Sequence, residues 1–249
     1  MTITFSGGMT VTGGGVTAAG TNLLQVVDQV SGNVLTLPTG VSVSTAVTQT
    51  GTTSSMQFAN VSTAILTFTN SNVAVIPVTV EYWYYPTTSD PYVTSLGMSQ
   101  NSNKNTGAQW SIDILPGAPG VGTYDVYFTN GTSGGGGGGG ISGAGVTINA
   151  WNFIAVQVTT TQLFLWINGT YQGSYPSSTL AFPGGYEQSA YSNLQLGSWD
   201  SYNLRAFTGY MNQVRVSSGQ RYSSSTITVP SSPLTVDGTT VALIQSVVK

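Results

Sequence analysis

The sequence predicts an all-β protein, a two-sheet sandwich preceded by an irregular N-terminal β arm, and three observations carry that expectation. Apolar residues recur with a period of two through most of the chain, which puts alternate side chains on one face of a strand. Val, Thr, Ile and Tyr, which fit a pleated and half-buried surface, dominate those stretches. Turn residues, including 32 Gly and 10 Pro, cut the 249 residues into short segments, and no amphipathic helical stripe of useful length lies between them. A chain of this size buries a large core as one main domain.

Residues 1–55 differ in texture. Met9-Thr-Val-Thr-Gly-Gly-Gly15 and Ala18-Ala-Gly20 interrupt short apolar pieces such as Leu23-Leu-Gln-Val-Val-Asp28. Such breaks suit short strands joined by flexible turns, pinned either on the main body or on a neighbour. The body, residues 56–249, opens with Met56-Gln-Phe58, Ala64 to Phe68 and Val73 to Val80, then runs into Glu81-Tyr-Trp-Tyr-Tyr-Pro86. Trp110-Ser-Ile-Asp-Ile-Leu115 and Tyr124-Asp-Val-Tyr-Phe128 alternate cleanly, and Asn130-Gly131 turns the chain. The seven glycines Gly134–Gly140 read as a surface loop or, alternatively, as a segment threaded close against another backbone. Val146 to Val158 and Gln162 to Ile167 read as adjacent strands, and Asn168-Gly169 turns into Thr170-Tyr-Gln-Gly173. Leu194 to Trp199, Phe207 to Val216 and Thr240 to Gln245 complete the set.

Composition excludes several functions. The chain has no His and no Cys, eight carboxylates and five basic residues, with 5% charged residues and a formal net charge of -3. Thiolate chemistry, disulfides and the usual general base near neutral pH are therefore absent. Lys104, Arg205, Arg215, Arg221 and Lys249 are too few for the phosphate contacts that nucleic-acid affinity needs, so nucleic acid is not an expected partner. No stretch approaches the ~20 apolar residues of a membrane span. Met1-Thr-Ile-Thr-Phe5 lacks a basic region followed by an apolar run, so no cleaved export signal is expected.

Val78-Thr-Val-Glu-Tyr-Trp83, Trp151-Asn-Phe-Ile-Ala-Val156, Leu163-Phe-Leu-Trp-Ile-Asn-Gly169, Leu196-Gly197 and Phe207-Thr-Gly-Tyr-Met-Asn-Gln-Val-Arg-Val216, in that order, resemble the laminin-G-like, concanavalin A-like lectin/glucanase superfamily. The resemblance covers roughly residues 56 to 249 and implies a jelly-roll of two curved sheets, with many members binding glycans or protein partners. The family's acidic pair near the last motif is replaced here by Asn212 and Gln213, which weakens any inherited acidic or calcium role. The glucanase branch's Glu-x-Asp-x-x-Glu arrangement is absent. Gly219-Gln-Arg-Tyr222 and the segments to Gln245 resemble the C-terminal ending of laminin-G-like modules in bacteriophage virion proteins. That similarity implies a non-enzymatic particle component, such as a capsid decoration, fibre or tail protein, assembled in the host cytoplasm and placed on the virion surface. Its partners would be other virion proteins, a host-surface glycan and copies of itself, with a trimer preferred by analogy and the arm adding strands to a neighbour's edge. A carbohydrate-binding lectin-like protein is the alternative, and a glycoside hydrolase a distant third.

Hydrolysis of a glycoside needs two carboxyl groups about 5 to 9.5 Å apart. Asp113 lies in a strand with no acidic neighbour at i±2, so no catalytic residue is assigned. Glu81 sits in an apolar strand, where an isolated carboxylate is costly, and Arg215 is its expected partner in a structural charged pair. Trp83, Trp151 and Trp166 are expected in the core. Trp199, Tyr202, Tyr186 and Tyr191 fall in polar, loop-like contexts and are the candidates for glycan binding or interface packing. Asp90, Asp125 and Asp200 are scattered, so no cofactor or metal is expected, with calcium the minor alternative. Asn60, Asn130 and Asn168 are formal glycosylation matches expected to stay bare.

Overall fold

The computed structural model describes residues 2–4, 10–12, 23–61, 63–70, 72, 77–88, 93–99, 108–116, 123–129, 141, 145–176, 193–197, 207–223 and 225–248. Two antiparallel sheets make the jelly-roll sandwich. The larger runs in the order β14 (Thr170–Pro176), β13 (Gln162–Ile167), β12 (Asn152–Val158), β7 (Val78–Pro86), β16 (Gly209–Ser218), β17 (Thr240–Val248) and β3 (Leu24–Asp28). On its flank β5 (Ser55–Phe58) pairs with β16, and β4 (Val41–Ser44) pairs with β5. The smaller sheet runs β11 (Val146–Thr147), β10 (Thr123–Thr129), β9 (Ala108–Pro116), β8 (Val93–Ser99), β15 (Asn193–Leu196) and β6 (Leu66–Thr69). A separate pair joins β1 (Thr2–Thr4) to β2 (Thr10–Thr12).

The core forms between the two sheets because the period-two pattern sends one set of side chains inward from each strand. Val78, Val80, Tyr82 and Tyr84 from β7 meet Ile154, Val156 and Val158 from β12, and Leu163, Leu165 and Ile167 from β13 extend the same cluster. Leu66, Phe68, Leu194 and Leu196 close it from the smaller sheet. Removing each such side chain from water contributes about 1.5–3 kcal/mol.

Several expectations are refined. Leu24–Asp28 pairs with β17, and Val41–Ser44 with β5, so these parts of the arm add strands to the chain's own sheet. The boundary expected at residue 56 falls inside β5. Val146 to Val158 is not one strand: Asn149 has a φ of 56° and its amide donates to the Pro86 carbonyl, so a turn separates β11 from β12. Trp151 is only half-buried, because it precedes β12, packs edge-on to Tyr85 and donates its indole N–H to the Thr48 carbonyl. Gly134–Gly140 lies outside the described residues.

Candidate functional site

The same alternation that buries Val80 and Tyr82 inward turns Thr79, Glu81 and Trp83 to the outer face of the larger sheet. On β16 the register against β7 slips by one residue between Asn212 and Arg215, at Gln213, whose φ is 53°. This β-bulge places Arg215 directly opposite Glu81. Residues 219–223 and 225–239, which follow β16, cross back over this outer face as an irregular strap.

A strap has no ladder of its own, so its backbone groups need side-chain partners. Gln157 supplies them on β12: its carbonyl oxygen accepts the Arg221 and Tyr222 amides at 3.0 Å each, and its NH2 donates to the Tyr222 carbonyl. Gln213 likewise accepts the Leu234 amide at 2.6 Å. The strap also bonds to the β13–β14 hairpin, where Ile227 donates to the Gly169 carbonyl and Tyr171 to the Ser225 carbonyl. Gly169 has a φ of +81°, and a Cβ there would stand 2.6 Å from the Ile227 carbonyl oxygen, so only glycine serves both the Asn168-Gly169 turn and the docked strap.

Glu81 is fully buried beneath the strap. Arg215 donates from Nε and Nη2 to its Oε2 at 2.7 Å each, and Arg221 Nε lies 3.4 Å from the same oxygen. The Tyr222 hydroxyl donates to Oε1. Each cation is committed elsewhere as well: Arg215 Nη1 donates to the Thr235 carbonyl, and Arg221 Nη2 to Asp237 Oδ2 at 2.7 Å. Burial, reinforced by the neighbouring Glu81 charge, raises the Tyr222 phenol well above its ordinary pKa.

Beside this network four rings make a second aromatic cluster. Phe164 and Trp166 lie near-parallel on β13 with centroids 6.0 Å apart, and Trp166 meets Tyr171 at 5.6 Å and Tyr222 at 5.4 Å. Trp166 is buried, whereas Phe164, Tyr171 and Tyr222 are half-buried. Between them opens a hollow of about 380 Å³. Its rim is polar and uncharged, formed by Gln220, Ser223 and Ser225.

Of the residues singled out from sequence, the structure brings Glu81 and Arg215 together. Trp199, Tyr202, Tyr186 and Tyr191 lie outside the described residues, as do Asp90 and Asp200. Asp113 stands in β9 opposite Thr94 and Tyr127. Asn212 and Gln213, at which the resemblance implies acids, are fully buried and hydrogen-bonded to Ser54 and Gln49. Among the described residues no three His, Cys, Asp or Glu side chains gather as a metal site. No helix among them is long and apolar enough to cross a membrane. Sequence reasoning placed Trp166 in the core, where it is buried, and did not single out Phe164, Tyr171 or Tyr222 as binding candidates. The signal was present, since Phe164 and Trp166 alternate with Leu163, Leu165 and Ile167, making β13 apolar on both faces.

Residues 50–228 match the family model of the concanavalin A-like lectin/glucanases superfamily. The chain belongs to this superfamily. Among solved structures, the chain is similar in fold to part of the structure of the enzymatically active domain of tailspike protein 2 from bacteriophage CBA120, with a TM-score of 0.52 and 15% identity. That match covers 79% of this chain and 29% of the tailspike, so the chain spans under a third of that protein. Domain 4 of AbnA, an extracellular arabinanase from Geobacillus stearothermophilus in complex with arabinotriose, aligns with a TM-score of 0.49 at 15% identity, over 81% of this chain and 85% of the domain. At 15% identity the tailspike match shows the fold alone. No curated protein has a matching sequence.

Proposed function

We propose that this chain is a non-enzymatic structural component of a bacteriophage particle, displayed on the virion surface, that binds glycans through a lectin-type sandwich. The observation that carries the reading is the aromatic hollow with its uncharged polar rim. Sugars present both C–H faces and hydroxyls, and a concave site with a few placed polar groups is the form small-ligand sites take. Membership of the lectin/glucanases superfamily supports the same reading, as does the C-terminal resemblance to phage virion modules. The carboxylate that the Tyr222 wall touches, Glu81, is held by Arg215, Arg221 and Tyr222, an arrangement that fits a structural role better than a general acid or base.

Particle membership is tested by mass spectrometry of gradient-purified virions, in which the chain should be found at structural copy number. Recovery solely from the soluble fraction of infected cells would remove the particle role. A trimer is the expected assembly, and light scattering on the purified chain gives its mass.

A further inference from the structure

The hollow on the outer face of the larger sheet has a chemistry that narrows its ligand. Its walls are Phe164, Tyr171 and Tyr222 over a floor of buried Trp166. Rings tilted at 46° and 57° to the Trp166 plane make a cup rather than a flat platform. A cup of about 380 Å³ falls at the small end of ligand sites, enough for one or two sugar rings and too small for an extended chain. The electropositive C–H bonds of a pyranose face meet the electron-rich ring faces, while Gln220, Ser223 and Ser225 stand at the rim to meet hydroxyls.

Charge decides the class of sugar. A carboxylate or sulfate brought into a partly dry cup needs a cationic partner. Among the described residues the cationic side chains are Arg215 and Arg221, and neither lines the hollow. Both guanidinium groups are turned beneath or beside the strap to Glu81, Asp237 and the Thr235 carbonyl. The group behind Tyr222 is a carboxyl, Glu81, already paired with Arg215 and Arg221. Among the described residues an acidic sugar would therefore meet no cation lining the cup.

Resting on the glycan-binding reading above, we infer that this strap-covered hollow is the glycan site and that it selects neutral saccharides over acidic ones, with Glu81 a positioning residue that fixes the Tyr222 wall. The Tyr222 hydroxyl bond to Glu81 and the Gln157 bonds to the Arg221 and Tyr222 amides set the ring before any ligand arrives. Such preorganisation lowers the entropic cost of binding.

The test prints neutral oligosaccharides (maltotriose, cellotriose, mannotriose, arabinotriose and lactose) beside 3′-sialyllactose and a trigalacturonide, probes them with the full-length protein, and carries the best binder into calorimetry. The expected result is binding to one or more neutral sugars. Phe164→Ala and Tyr171→Ala should each weaken it by about tenfold while circular dichroism stays unchanged. Tyr222→Phe keeps the ring and loses its anchor, and should weaken binding less than either, about threefold. Preference for the acidic sugars, or neutral binding indifferent to all three variants, overturns the inference while leaving the glycan-binding reading in place. Absence of binding to every sugar overturns both.

Discussion

The two faces of the larger sheet solve the same problem in different ways. The inner face meets another sheet, and Val80, Tyr82, Ile154, Val156, Leu165 and Val216 join one apolar cluster there. The outer face meets an irregular strap. There Trp83, Phe153, Ala155 and Trp166 share the surface with Glu81, Arg215, Gln157 and Gln213, all buried. The difference follows from the cover. A strand arrives with its backbone groups already paired in a ladder, whereas a strap brings amides and carbonyls that must be satisfied by whatever lies beneath. Polar side chains on the outer face are the receptors for the strap, and an opening remains beside Tyr222 where the aromatic surface is incompletely covered.

The largest effect should come from the inner face. Phe58 is 1% exposed and packs against Phe207 at a centroid distance of 5.5 Å. Phe58→Ala should cost about 3–5 kcal/mol in urea unfolding, the range for a large buried ring replaced by a cavity. A loss below about 1 kcal/mol would show that this face collapses around the gap and is not close-packed. On the outer face Arg215→Met should cost about 3 kcal/mol, because Glu81 loses two of its hydrogen bonds while remaining buried. The origin of that cost separates the two faces. Adding Glu81→Gln to Arg215→Met removes the unpaired charge and should restore at least about 1 kcal/mol. A double variant no more stable than the single one would mean that the arginine acts by packing, as the inner-face residues do.

What the sequence made legible divides along the same line. The inner face was readable because short apolar runs rich in β-branched and aromatic residues report strands directly, and the runs at Val78–Tyr84, Phe153–Val158 and Leu163–Ile167 all fold as strands facing the core. The Glu81–Arg215 contact was readable from two isolated charges in apolar strands, although the one-residue slip at Gln213 that brings them into register carries no sequence signature. The strap's path was not readable. Gln157, Gly169 and Gln213 look like ordinary strand and turn residues until a segment up to 65 positions away reaches back to them. Attention to loop aromatics therefore settled on Trp199, Tyr202, Tyr186 and Tyr191 and missed Tyr222, whose partners Gln157 and Glu81 are set by that long-range return.

The smallest expected effect lies at the strap's exposed end and tests whether its charges matter to holding it down. Asp237 accepts from Arg221 through Oδ2, and from the Thr239 amide and the Thr239 and Thr240 hydroxyls through Oδ1. The Arg221 bond foremost, opposed by burial and helped by the bonds from Thr239 and Thr240, holds its carboxyl well below the usual carboxylate range. A carboxyl depressed in the folded protein binds fewer protons there than when unfolded. The stabilisation is thus complete above the ordinary value of about 3.9 and shrinks as pH falls below it toward the folded value. Because the Asp237 side chain is 39% exposed, solvent screens the pair, and its worth at neutral pH should not exceed about 1 kcal/mol. Asp237→Asn should therefore lower the unfolding midpoint slightly at pH 7 and progressively less from about pH 4 downward, with added salt reducing the gap as well. A gap that stays constant from pH 7 to pH 3 would assign the effect to the hydrogen bonds with Thr239 and Thr240, which the Asn side chain only partly replaces. In that case the outer face would resemble the inner one, held by local geometry rather than by its ions.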